Sequence, residues 1–236
     1  MTEWGQDDLS KFLDMVHANQ KANRVNFAPA YEVILKIDGC LAQAGKNLVN
    51  VKPIMTGILL LRCLYAFRTA AGMALAGQVV EAFPMMRSVL EYAGYALLIF
   101  DDPNLQSVFM DRHQGEKDMK LHKAEFNVGE VRAVLARFDG KLDENFGIFY
   151  QRTIDFGGHP NPHATFSAMR LDERNGETGI TALALSADLK AVTHALKSVA
   201  QIGLTVLYIF QHVFTAKFEL LGIRAEIEAL RRTANL

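Results

Sequence analysis

The sequence predicts an all-α protein, a multi-helix bundle with long central helices and one small β-hairpin insertion near residues 165–185. Apolar residues recur at helical spacing through most of the chain, the period of helices that bury one face. Glycines and prolines fall where helices would begin and end. Only the stretch around Asn175-Gly176 reads differently, as two extended segments joined by a tight-turn dipeptide.

Residues 9–19 and 29–44 make the first two helices, the second opening on Pro29, where a missing N–H costs least. Residues 52–80 form a long third helix whose Ala66, Ala70, Gly72, Ala74, Ala76 and Gly77 let neighbouring backbones approach, so it is expected inside the bundle. Pro84 interrupts a helical pattern that runs on to Phe100, which predicts a kink or restart near Phe83. Asp101-Asp102-Pro103 caps a charged helix over residues 104–126, followed by helices over 130–138 and 142–155. Strands over 165–171 and 180–185 flank the turn. Ser186 with Asp188 caps a long helix over 187–216, and residues 220–233 close the chain as an amphipathic helix. No repeat or linker marks a boundary, so residues 1–236 are read as a single helical domain.

Half of the 236 residues are apolar, 22% are charged and the net charge is −1, the profile of a globular chain with no global field for polyanions. Even the most charged stretch, residues 111–144, balances seven Lys or Arg against eight Asp or Glu. Cys40 and Cys63 are too few and too distant for a disulfide framework, which fits a reducing cytosol. The acidic start M-T-E-W-G-Q-D-D lacks the order of a secretion signal. Residues 198–216 carry no formal charge and approach membrane length, but Gln201, Gln211 and His212 interrupt them and the flanks are not polybasic, so they are read as a core helix, with no membrane partner and a cytoplasmic location.

Chemistry concentrates in R-T-I-D-F-G-G-H-P-N-P-H at residues 152–163. Arg152 and His159 are the candidate catalytic residues, because an imidazole can transfer protons near neutral pH and a guanidinium can hold a phosphate. Asp155 and His163 join them as candidate ligand-binding residues. The competing reading is a structural corner, where glycines stop a helix before two prolines. Arg87 and Glu91, the only charges between Glu81 and Asp101, stand one turn apart and predict a buried pair, candidate ligand-binding residues whose competing and stronger reading is a purely structural ion pair. The pair needs further partners from the His159 region or from Arg62 and Arg68.

Asp118 and His122 have the i, i+4 spacing of a metal pair, and His159 with His163 can also share an ion. No second Glu-x-x-His element accompanies them, so no metal and no cofactor is expected. His17, His194 and His212 are isolated in sequence.

The R-S-V-L-E helix at 87–91, a charged helix, the helix leading to G-G-H-P at 157–160 and a closing apolar helix resemble uncharacterised bacterial all-helical families distantly similar to HEPN domains. The likeness spans roughly residues 65–214. It implies a metal-independent ribonuclease whose Arg and His, four to six residues between them, pair across a dimer. Arg152 and His159 fit the upper end of that spacing, while Thr153 and Pro160 depart from the pattern. The implied function is a cytosolic HEPN-like protein that binds RNA or another phosphate-bearing ligand. A mean hydropathy of +0.07 supports the alternative, a non-enzymatic scaffold that self-associates through an apolar face, and both readings expect a homo-oligomer, a dimer first.

Overall fold

The computed structural model describes residues 3–158, 161–174 and 177–233. It is an all-α bundle carrying one two-stranded antiparallel hairpin. The first half holds α1 (Asp8–Asn26), α2 (Ala28–Lys46), α3 (Ile54–Ala76) and α4 (Val79–Asp101). Shorter elements follow: α5 (Leu105–Met110), a 3₁₀ turn at Asp111–His113, α6 (Glu116–Glu125), α7 (Val128–Phe138) and α8 (Gly140–Thr153), which runs into a π-type turn at Ile154–Gly158. Then come α9 (Pro162–Ser167), β1 (Met169–Arg174), β2 (Glu177–Ala182), α10 (Leu189–Val213), α11 (Thr215–Leu220) and α12 (Ile223–Thr233).

The core is built around α10, which packs against α2, α3, α4 and α8. Leu196, Leu207, Ile209 and Phe210 on α10 meet Leu59, Leu60 and Phe67 of α3 and Phe83, Met86 and Leu90 of α4 in one buried cluster. Each such side chain contributes about 2 kcal/mol when fully buried. Gly203 sets how closely the helices cross, since a Cβ there would lie 2.5 Å from Phe67 Cε2 and 2.8 Å from Ile37 Cγ2.

The third helix is internal on most sides, as its small residues predict: Ala66, Ala70, Ala74 and Ala76 are buried. One stripe departs from that expectation. Ile54, Ile58, Leu61 and Tyr65, spaced one turn apart, are exposed. The helix also ends earlier than its pattern suggests, because Gly77 adopts a left-handed φ of 84° and caps it, Gly77 N donating to Ala74 O at 3.1 Å and Gln78 N to Met73 O at 3.0 Å, while the Gly77 carbonyl accepts from Ser186 N at 2.8 Å. The restart expected near Phe83 therefore falls at Gly77, and Pro84 sits inside α4. A proline there has no N–H for the Val80 carbonyl.

The charged helix over 104–126 is three pieces, not one. Gly115 is extended at φ −173° and ψ 174°, and α5 buries no residue that would hold it in line with α6. Residues 165–167, expected as strand, belong to α9, because Asn161 accepts from Ala164 N at 2.9 Å and Pro162 fits the first helical position. The strands pair from Met169↔Ala182 to Arg174↔Glu177, and the turn dipeptide Asn175-Gly176 lies outside the described residues. Asp188 caps α10 through Lys190 N at 2.9 Å, while Ser186 Oγ accepts from Asp188 N.

Two helices, α3 and α10, are long and apolar enough to cross a membrane, and 56% and 72% of their most apolar windows are buried inside the bundle. The sequence reading singled out the second alone.

Candidate functional site

Helix α8 packs against α4, α7 and α10, so its side chains serve different neighbours. Arg152 points at α10. Its Nη1 donates to Gln201 Oε1 at 2.6 Å and to Ser198 Oγ at 3.3 Å, and its guanidinium stacks 5.0 Å from the centre of the Phe149 ring. Both acceptors are neutral. Burial lowers the Arg152 pKa, and no carboxylate acts against that shift. A half-buried cation held by neutral acceptors has lost hydration without gaining a counter-charge.

Arg152 and Asp155 line one open groove of about 710 Å³ with Arg132, Gln151 and Phe156. Asp155 accepts from Gln151 Nε2 at 2.8 Å. Arg132 Nε and Nη2 donate to the two carboxylate oxygens of Asp143, at 2.8 and 2.9 Å. His159 and Pro160 lie outside the described residues, and His163 falls in the first turn of α9.

The glycine corner has a packing cause. A Cβ on Gly157 would stand 2.2 Å from the Val80 carbonyl oxygen, the one that Pro84 cannot serve, so only glycine lets the turn lie against α4. Next to it, the Phe156 ring packs 5.3 Å from Phe83 and 4.7 Å from His194. His194 is thus not isolated in the fold. It lines a small hollow of about 170 Å³ with Gly77, Phe156 and Ser186. His194, Ser198 and Gln201 form an i, i+4, i+7 polar stripe facing the end of α8 and the turn after it. Sequence reading took Gln201 only as an interruption of an apolar run, although that helical spacing was there to find.

Arg87 and Glu91 occupy a second place. Arg87 Nε donates to Glu91 Oε1 at 2.8 Å and Tyr150 OH donates to the same oxygen at 3.0 Å. The Arg87 guanidinium lies 5.1 Å over the Tyr150 ring. The pair is partly buried, not sealed, with side-chain exposures of 26% and 31%. Of the partners proposed for it, Arg62 donates to Tyr92 instead, at 3.4 Å, and Arg68 is paired with Asp38 at 2.7 and 3.0 Å. Burial is the largest single influence on Arg87 and works to lower its pKa, but the bond to Glu91, the Glu91 charge and Tyr150 together outweigh it and the net shift is upward. Burial, and then the Glu91 charge, pushes the Tyr150 phenol up to about 12. This cleft holds about 290 Å³ and is lined also by Tyr95, Asn127 and Phe146. The fold therefore pairs Arg87 with Glu91 and sets Arg152 and Asp155 along one groove, and the two places line different hollows.

The spacing of Asp118 and His122 has another use. The His122 imidazole is 5% exposed, stacked 4.8 Å from Phe126 and 5.7 Å from Phe109. Burial, with the nearby Arg112 and His113, lowers its pKa. Among the described residues no group of three or more His, Cys, Asp or Glu is placed to hold a metal.

Fold and site together define a helical-bundle protein with an uncompensated arginine at a glycine corner. No protein-family model, curated protein or solved structure matches the chain, and the HEPN-like resemblance rests on the residues quoted for it.

Proposed function

We propose that the protein binds a phosphate-bearing ligand, RNA foremost, at the Arg152 corner. The observation that carries this reading is the Arg152 guanidinium, half-buried and bonded to Gln201 and Ser198 with only desolvation acting on it. A phosphate would supply the missing negative charge through short charge-assisted hydrogen bonds. In the catalytic form of the proposal, His159 takes the proton of a ribose 2′-hydroxyl as that oxygen attacks the adjacent phosphorus. Arg152 stabilises the charge that develops on the phosphoryl oxygens, and the 5′-oxygen leaves with a proton.

The test is anisotropy of a labelled oligoribonucleotide, with cleavage followed in EDTA. We expect binding that weakens with salt, an affinity loss of about tenfold in Arg152→Leu, and retained binding without cleavage in His159→Ala. Unchanged affinity in Arg152→Leu removes the site, and equal, negligible cleavage by the parent chain and His159→Ala removes the nuclease.

A second reading, self-association, has its own support. Met169, Leu171 and Ile180 on the hairpin are exposed, as is the Ile54–Ile58–Leu61–Tyr65 stripe of α3, and a lone two-stranded hairpin is marginal in water. Light scattering that finds only monomer at high concentration counts against it.

A further inference from the structure

We infer that the groove between α1, α2 and α3 is a binding site for an amphipathic anion, an apolar chain carrying one terminal carboxylate or phosphate. The groove begins with the way α1 is attached. Of its 19 residues only Ser10 is buried, so apolar packing does little to hold it. Three amides reach across instead: Asn19 Nδ2 donates to Ala76 O at 3.0 Å, Gln20 Nε2 to Gly72 O at 3.0 Å and Asn23 Nδ2 to Leu75 O at 2.8 Å. Those carbonyls belong to the last turns of α3, and Leu75 and Ala76 lie in the final turn, where carbonyls have no partner within the helix. Amide arms of this length hold α1 off its neighbours, and a hollow of about 690 Å³ remains between the three helices. That lies within the usual range for a small-molecule site, about 300–1,000 Å³.

The floor of the hollow is apolar, made by Ile34, Phe67, Ala71 and Leu75, with Leu35 on its side. Its rim is cationic. His17, Lys21 and Arg24 lie at i, i+4 and i+7 on the α1 face that lines it. Neither Lys21 nor Arg24 enters an ion pair among the described residues, and like charges one turn apart repel by a few tenths of a kcal/mol. Across the hollow the sole lining carboxylate, Asp38, is occupied at both oxygens by Arg68. Lys21, Arg24 and Arg68 thus stand against one carboxylate in a chain whose net charge is −1. An acidic head between Lys21 and Arg24 relieves their repulsion, and a tail along Leu35 and Phe67 removes apolar surface from water. No residue of this groove belongs to the Arg152 corner, so the two sites stand or fall separately.

Titration calorimetry below the micelle concentration tests the inference with dodecyl phosphate and dodecanoate, which distinguish the two head groups. Inorganic phosphate and dodecyltrimethylammonium serve as controls. We expect one equivalent of at least one anionic amphiphile to bind, with affinity falling about tenfold or more in Lys21→Glu/Arg24→Glu, and likewise in Leu35→Asp, which puts an anion on the wall. Arg152→Leu binds as the parent chain does. Circular dichroism checks folding, and if the double variant loses helicity the exposed-site variant Leu35→Asp decides. Absence of binding by both anionic amphiphiles, equal binding of the ammonium amphiphile or of inorganic phosphate, or unchanged affinity in the folded variants overturns the site.

Discussion

Arg87 and Arg152 meet α8 on nearly opposite faces, since Tyr150, which stacks under Arg87, and Arg152 itself are two residues or about 200° apart around the helix. Arg87 has a carboxylate at 2.8 Å and a phenol that shares it. Arg152 has an amide oxygen and a hydroxyl. The first set is complete in the folded chain, and its net effect keeps the guanidinium charged. The second is incomplete, and burial works against the charge. Two partly buried arginines thus differ in what answers them: Arg87 has its counter-charge within the fold, and Arg152, with neutral acceptors, is the one for which we propose an anionic ligand.

The contrast can be broken by experiment. The largest effect belongs to the corner's backbone: Gly157→Ala forces a methyl against the Val80 carbonyl and should lower stability by about 3 kcal/mol in urea unfolding. A loss under about 1 kcal/mol means that the turn can move away from α4 and does not fix the Arg152 corner. Next comes Glu91→Ala, which strips Arg87 and Tyr150 of a shared acceptor and should lower stability by about 2 kcal/mol. A change near zero would show that Arg87 does not depend on Glu91.

Tyr150→Phe sharpens the same cleft. It should lower stability by about 1 kcal/mol near neutral pH, and the difference carries a pH signature. Tyr150 ionises later in the folded chain, its pKa raised from 10.0 to about 12. Its contribution is therefore fully present below the lower value and is lost as pH rises to the upper one. The gap between the urea midpoints of the parent chain and of the Tyr150→Phe variant should shrink across that window, and a constant gap contradicts the Tyr150–Glu91 bond.

The smallest stability effect should be at Arg152, where Leu removes both a desolvation cost and two hydrogen bonds to neutral groups, for a net change of about 0.5 kcal/mol or less. Its loss should show in anion binding instead. A stability loss of about 2 kcal/mol or more would erase the distinction from Arg87.

The helices were legible because their signals are local. Pro29, Asp188 and the apolar spacing of α10 each act within a turn or two of themselves. Errors arose where a distant partner decided. Gly77, where α3 ends, has the backbone of Ser186, more than a hundred residues away in sequence, so close that a Cβ would not fit, and the Val80 carbonyl, four residues before Pro84, has Gly157 lying over it. At the candidate site, Arg152 could be named from the crowding of polar, glycine and proline residues at 152–163, and the Arg87–Glu91 pair from charge in an apolar setting. Of their partners, Gln201 showed only as one member of the polar spacing with His194 and Ser198, and Tyr150 could not be named, because an ordinary tyrosine gains its role only from what faces it.

The sequence by itself determined that this chain is an all-α bundle with one hairpin, through periodicity, caps and turn residues that act over a few positions. Tertiary structure alone decided which charges are answered and which are left, and where α1 stands off to leave a cationic groove. Those outcomes depend on the rotation and register of helices far apart in the chain, and a turn of about 100° per residue sends neighbouring side chains to different partners.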